Sequence, residues 1–143
     1  MMERRRIADE ASVADIRHAV LERLNRLSID PQEVFDCLLA VTEACTNALR
    51  YGRRGEPATP DPRISWRLDA SKALFSIEDF SSRGWSTPPV LPQPTAEQEA
   101  DPTSGRVGGF GLQLMADLMD EVDLNIGAQG TSVTLVKVFS PTP

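Results

Sequence analysis

Leu39-Ala40-Val41-Thr42-Glu43-Ala44-Cys45-Thr46-Asn47-Ala48 lies inside a run that repeats apolar residues at helical spacing. At about 100° per residue, Val34, Cys37, Leu38, Val41, Cys45, Ala48 and Leu49 fall on one broad apolar arc, and Asp36, Ala40, Glu43, Asn47 and Arg50 on the opposite stripe. Glu43 and Asn47 stand at i,i+4, so their side chains reach a common point. A carboxylate and a carboxamide so placed can hold a hard cation and orient a nucleophile. A solvated helix face is the plainer reading of the same pair. Cys37 and Cys45 share this helix, with Cα atoms roughly 12 Å apart. That exceeds the disulfide span of about 4.4–6.8 Å, and both thiols read as small buried apolar side chains.

Outward from this helix, Asp30-Pro31 supplies an N-cap and a first-turn proline, and Gly52 ends the run. Upstream, Val13, Ile16, Val20, Leu21, Leu24 and Leu27 predict another helix between Asp9 and Leu27. Downstream, Arg53 to Pro62 reads as a loop. Ile64, Trp66 and Leu68 alternate in a strand from Arg63 to Asp69, and a second strand runs from Ala73 to Asp79, the two forming a hairpin. Ser81 to Arg106 carries Pro88, Pro89, Pro92, Pro94 and Pro102 with no apolar period, the mark of a lid or binding loop. Leu112, Leu114, Met115, Leu118 and Met119 then predict a third helix. Val122 to Ile126 and Thr131 to Phe139 alternate about a turn at Gly127 to Gly130. The order predicts an α+β fold, a two-layer sandwich of helices on a mainly antiparallel sheet.

Two further places can carry chemistry. Gly105, Gly108, Gly109 and Gly111 open directly into the third helix, where free N–H groups and the helix dipole favour an anion. The stretch lacks the Gly-Lys-Ser/Thr of a P-loop and follows no strand of a βαβ unit, so it is either an anion site or a hinge. Asp79, at a strand end, is either a turn former or an acceptor for the exocyclic amine of a purine.

The 143 residues suffice for one domain, 1–143, with a lid at about 81–106. Fifteen Lys+Arg against 21 Asp+Glu give a net charge of −6, which argues against a broad nucleic-acid footprint. No apolar run approaches the ~20 residues of a membrane helix. The basic N-terminus lacks the apolar stretch of a signal peptide. Two cysteines and one histidine fall short of a structural zinc site, and a cytoplasmic protein is expected.

Taken in order, these motifs resemble the GHKL (Bergerat) ATP-binding fold shared by gyrase, histidine kinases and MutL. Within it the chain looks most like the small anti-sigma factor serine kinases of the RsbW and SpoIIAB type. The resemblance runs from about Ile7 to Phe139. Its most specific parts are Leu39 to Ala48 and Gly109-Phe110-Gly111-Leu112-Gln113-Leu114-Met115. It implies an ATP-dependent serine-protein kinase that holds a sigma factor or phosphorylates a STAS-domain anti-anti-sigma factor, and a homodimer. By resemblance, Asn47 binds the Mg2+ that bridges the ATP phosphates and Glu43 is the base for the attacking serine hydroxyl. Asp79 reads the adenine amine with Thr131 behind it, Gly105, Gly108, Gly109, Gly111 and Leu112 surround the nucleotide, and Arg17 contacts the sigma factor.

Two departures from the family pattern stand out. Ser81 replaces a glycine after Asp79, and a side chain there disfavours φ > 0 and crowds the base. Only Arg4 to Ile7 is left to form the family's first strand. The alternative function is a non-catalytic regulatory module that keeps the fold and works by partner exchange.

Overall fold

The computed structural model describes residues 2–51, 59–80, 107–128 and 130–140. Strand β1 (Met2–Arg6) precedes helices α1 (Glu10–Asn25) and α2 (Pro31–Tyr51). Strands β2 (Arg63–Leu68) and β3 (Lys72–Glu78) follow, then α3 (Val107–Leu118), β4 (Glu121–Gly127) and β5 (Gly130–Val138). The strands form one sheet in the order β1-β2-β3-β5-β4, with every neighbouring pair antiparallel. This is the expected α+β sandwich. The segment 81–106, read as a lid, lies outside the described residues, together with Ser81 and Gly105.

Local chemistry sets the element ends. Asp9 caps α1, its carboxylate accepting from the Ser12 N–H at 2.8 Å and from the Ser12 hydroxyl at 2.9 Å. Those two bonds hold the Asp9 carboxyl below its ordinary range. Asp30 accepts from Gln32 N–H at 2.8 Å to open α2. In the β2–β3 turn, Asp69 accepts from the N–H groups of Ser71 and Lys72 at 2.7 and 2.9 Å, which fixes the hairpin register.

The two-residue period of each strand sends alternate side chains into the helical layer. Ile64 and Trp66 on β2, Ala73, Phe75 and Ile77 on β3, and Val133 and Leu135 on β5 are buried there. Antiparallel register sets Trp66 beside Phe75, and Phe75 beside Leu135. Val13, Ile16, Val20 and Leu24 supply the face of α1, and Leu112, Met115 and Met119 close the far side.

Two sequence readings change. The stripe opposite the apolar arc of α2 is not a solvated face: Ala40 is 0% and Asn47 1% exposed. The reason is position, because α2 packs on β3 and β5 and is also flanked by α1 and α3. The first strand is also longer at its start than Arg4 to Ile7, spanning Met2–Arg6 in continuous register with β2. The Glu3 carboxylate accepts from Arg23 Nε at 2.9 Å, tying β1 to α1, and the Arg5 guanidinium lies 5.4 Å from the Trp66 ring centre.

Candidate nucleotide site

Glu43 and Asn47 sit one turn apart on α2, Glu43 half-buried and Asn47 buried. The Asn47 Nδ2 has no hydrogen-bond partner among the described residues. A buried amide left so costs about 1–3 kcal/mol. A ligand could satisfy such a group, and the amide can present either its oxygen or its nitrogen by rotating about its last torsion.

Asp79 continues the row Ala73, Phe75, Ile77, so its carboxylate points toward the helices instead of out to water, and it is 5% exposed. Thr131 continues the row Leu135, Val133 on β5 and is 3% exposed. The Asp79 N–H donates to the Thr131 carbonyl at 2.9 Å, and the Thr131 N–H donates to Asp79 Oδ1 at 3.3 Å. One extra rung beyond the β3–β5 ladder therefore fixes the carboxylate orientation. The Thr131 hydroxyl oxygen is buried and has no partner among the described residues.

This rung depends on a residue that the sequence reading treated only as part of a turn. Gly130 has φ +139°, and a Cβ built on it would lie 2.1 Å from the Asp79 carbonyl oxygen. Only glycine lets the two strand ends approach this closely. A hollow of about 350 Å³ opens beside them, bounded by Asp79, Phe80, Gly127, Gly130 and Thr131.

The glycines expected to form a loop lie differently. Gly108, Gly109 and Gly111 fall within the first turns of α3, which begins at Val107. The first four N–H groups of a helix lack intrahelical partners, so an anion-seeking end remains, now as a helix terminus. Leu112 is 6% exposed and belongs to the core cluster. At the other end of α3, Lys137 Nζ donates to the Leu118 carbonyl at 2.6 Å and to Asp36 at 3.2 Å. One ammonium thus joins β5, α2 and the negative end of the α3 dipole, and nothing local in the sequence signals it.

The structure therefore brings four carriers of candidate residues into one packed unit: α2 touches β3, β5 and α3. Arg17 stands apart. It is exposed on α1 and lines a groove with Glu10, Val13, Thr46, Leu49 and Arg50. Among the described residues no helix is long and apolar enough to cross a membrane.

Comparison with known proteins agrees with this architecture. A family model described as the histidine kinase-like ATPase domain matches residues 7–137. The serine-protein kinase RsbW of Bacillus subtilis is 30% identical over 121 residues, covering 81% of this chain and 71% of that one. RsbW of Bacillus pumilus is 29% identical over 123 residues, covering 81% and 72%. The chain belongs to the histidine kinase-like ATPase family, the GHKL group, and is related within it to the RsbW serine-protein kinases. Among solved structures, the RsbU and RsbW domains of a Mycobacterium tuberculosis protein superpose with a TM-score of 0.68 at 19% identity. That match covers 99% of this chain and 34% of the other, so the chain spans about a third of that protein's length. The SiaB–SiaC complex from Pseudomonas aeruginosa gives a TM-score of 0.66 at 16% identity, covering 96% of this chain and 88% of that one. At these identities the two structures speak for the fold.

Proposed function

We propose that this chain is an ATP-dependent serine-protein kinase acting as an anti-sigma factor in the cytoplasm. It holds a sigma factor, or it binds a STAS-type anti-anti-sigma factor and phosphorylates it on serine. The observation that carries the nucleotide part is a pair of buried polar groups, Asn47 Nδ2 and the Thr131 hydroxyl, that have no hydrogen-bond partner among the described residues, the second of them next to a carboxylate held in orientation by backbone. Such groups persist where a ligand satisfies them. The kinase part is supported by the relatives named serine-protein kinase RsbW, and the anti-sigma part by the resemblance of the sequence motifs.

The residues present fit ATP and Mg2+. Asp79 would accept from the adenine amine, with its carboxylate aimed by the Thr131 N–H. The Thr131 hydroxyl would bond the same base directly or through water. The free first-turn amides at Gly108 and Gly109 would meet the phosphates, with Gly105 two residues ahead of the helix in sequence, Gly111 letting the nucleotide approach the helix and Leu112 packing beneath. Among the described residues no group of three His, Cys, Asp or Glu could hold a metal. A cation would therefore rest on the Asn47 oxygen and on the phosphates themselves. When bound, Mg2+ neutralises charge that builds on the phosphates during transfer. Glu43, one turn from Asn47, would take the proton of the attacking serine hydroxyl. Arg17, exposed in the groove between α1 and α2, would meet the sigma factor.

Calorimetric titration of the wild type and of Asn47→Ala with ATP and Mg2+ tests the site. Micromolar, magnesium-dependent binding that Asn47→Ala abolishes is expected, and no binding by the folded wild type would sink the kinase reading. Glu43→Ala should stop phosphotransfer to a serine-bearing antagonist while leaving ATP binding in place. The alternative, a partner-exchange module without turnover, draws its support from Ser81 where the family carries glycine. It predicts no change of regulatory output in Glu43→Ala.

A further inference from the structure

Charge is spread unevenly over this acidic chain. Strands β1 and β2 carry Arg4, Arg5, Arg6, Arg63 and Arg67 against the single carboxylate of Glu3, in a molecule of net charge −6. Four of these arginines, Arg4, Arg5, Arg6 and Arg63, line one hollow of about 750 Å³ together with Thr59, Asp61 and Phe80. The strand register makes the crowding specific. Arg4 and Arg6 share a face of β1, about 6.5 Å apart along the strand, and Arg63 stands directly opposite Arg6. Like charges so placed across an antiparallel pair are destabilising. Carboxylates relieve this only in part. Asp61 lies 3.4 Å from Arg6 and Glu78 lies 3.8 Å from Arg63, and the two arginine side chains stay 75% and 51% exposed. Among the described residues Arg4 makes no ion pair. Aromatic rings hold the other two in place: the Arg63 guanidinium lies 5.0 Å from the Phe80 ring centre, and that of Arg5 lies over Trp66. Charged side chains also guard sheet edges, but Arg63 belongs to the interior strand β2, which has no edge to guard.

We propose that this hollow binds a small anion with two linked phosphate groups, a diphosphate, either inorganic or carried by a nucleoside. A guanidinium offers phosphate a planar fork of donors. Arg6 and Arg63, side by side across the β1–β2 pairing, take one phosphate between them, which turns their repulsion into a shared contact. Arg4, next on the same face, takes the second. The charge count agrees. Four arginines against Asp61 leave an excess of three positive charges in the lining, and a phosphate group carries about −1.5 to −2 at neutral pH, so one phosphate falls short and two suffice. The volume is also in the range of small-ligand sites, about 300–1,000 Å³. A polynucleotide is the poorer match, because the arginines stop at this edge and the far strand β4 carries Glu121 and Asp123, leaving no basic stripe for a backbone to follow. Phe80 borders this hollow and the smaller one beside Asp79, and no other residue lines both. The inference therefore stands apart from the nucleotide reading.

Calorimetric titration of the full chain with sodium pyrophosphate, at low salt and without magnesium, tests it, with circular dichroism confirming each variant as folded. The wild type should bind one pyrophosphate with a Kd below about 100 µM. Arg4→Gln and Arg6→Gln should each weaken binding about tenfold, the loss of one charge-assisted contact. A charge-matched control, Arg26→Gln with Lys72→Gln, removes two exposed cations elsewhere and should change the affinity by less than about twofold. Asn47→Ala should bind pyrophosphate as the wild type does, which separates this hollow from the nucleotide site. GDP then identifies the source: an Arg6-dependent affinity above that of pyrophosphate assigns a nucleoside diphosphate, and an equal one assigns the inorganic ion. No binding by the folded wild type, equal weakening in the control, or loss of binding in Asn47→Ala would each overturn the proposal. So would tighter binding of a single-stranded oligonucleotide than of pyrophosphate.

Discussion

Gly130→Ala is the sharpest probe of how the site is held. The new Cβ would lie 2.1 Å from the Asp79 carbonyl oxygen, 2.9 Å from its carbon and 3.0 Å from the Phe80 Cα. All three are backbone atoms, so no side-chain rotation relieves the clash and the strand ends must part. An L side chain at φ +139° adds backbone strain of about 1–3 kcal/mol. Loss of the Asp79 N–H to Thr131 carbonyl bond adds about 0.5–1.5 kcal/mol. Together these predict destabilisation of about 1.5–4.5 kcal/mol, read as a lower urea midpoint at unchanged slope. Gly127→Ala is the matched control, since its Cβ would meet nothing closer than the Gly130 carbonyl oxygen at 3.8 Å. Its cost should stay within about 0.5 kcal/mol. Equal effects at the two glycines, or a Gly130→Ala cost under about 0.5 kcal/mol, would refute the reasoning. The same variant should also weaken ATP binding, because it moves the carboxylate assigned to the base.

Other variants test separate parts of the structure. Asn47→Leu removes a buried donor that has no partner among the described residues, so the ligand-free protein should gain about 1 kcal/mol in urea unfolding while losing nucleotide binding; a destabilised variant would contradict this reading of the amide. Lys137→Met breaks the links to Leu118 and Asp36 and should cost about 1.5–3 kcal/mol, whereas Arg26→Met, an exposed partner of Glu22, should cost under about 1 kcal/mol. Burial pushes the thiols of Cys37 and Cys45 up to about 12 in the folded state, against about 8.5 when unfolded. Above pH ~8.5 the unfolded chain releases these protons and the native state keeps them, so stability should fall as pH rises toward 12. Replacing both cysteines by alanine should flatten that slope, and a thiol reagent at pH 8 should react only as the protein unfolds.

What the sequence disclosed follows from which forces are local. The helical period of Val34 to Leu49 and the alternation of Ile64-Trp66-Leu68 are local signals, and both elements formed within a residue or two of their expected ends. The position of Asp79 was legible as a strand end, and its burial follows from the parity of Phe75 and Ile77. Met2–Arg6 was only partly legible because its residues are mostly charged and show no apolar alternation. Pairing with β2 and the Glu3–Arg23 contact make it a strand. The burial of Ala40 and Asn47 was hidden for a similar reason, since the elements that pack around α2 include α3, more than fifty residues away in sequence. Lys137 and the close approach at Gly130 likewise exist only once distant segments meet.

The join between β3 and β5 has a consequence for how the molecule could be taken apart. Among the described residues it is the one strand pairing that unites the part of the chain before residue 81 with the part after residue 106, and the Asp79–Thr131 rung lies at its end. The two fragments, 1–80 and 107–143, each carry a hairpin and at least one helix, and they share the core through α2 and α3. Expressed separately, they are the two halves that a split version of the molecule would use. A nucleotide gripped by residues from both fragments would act as the stitch across the cut, so its binding could be read as reassembly of two polypeptides.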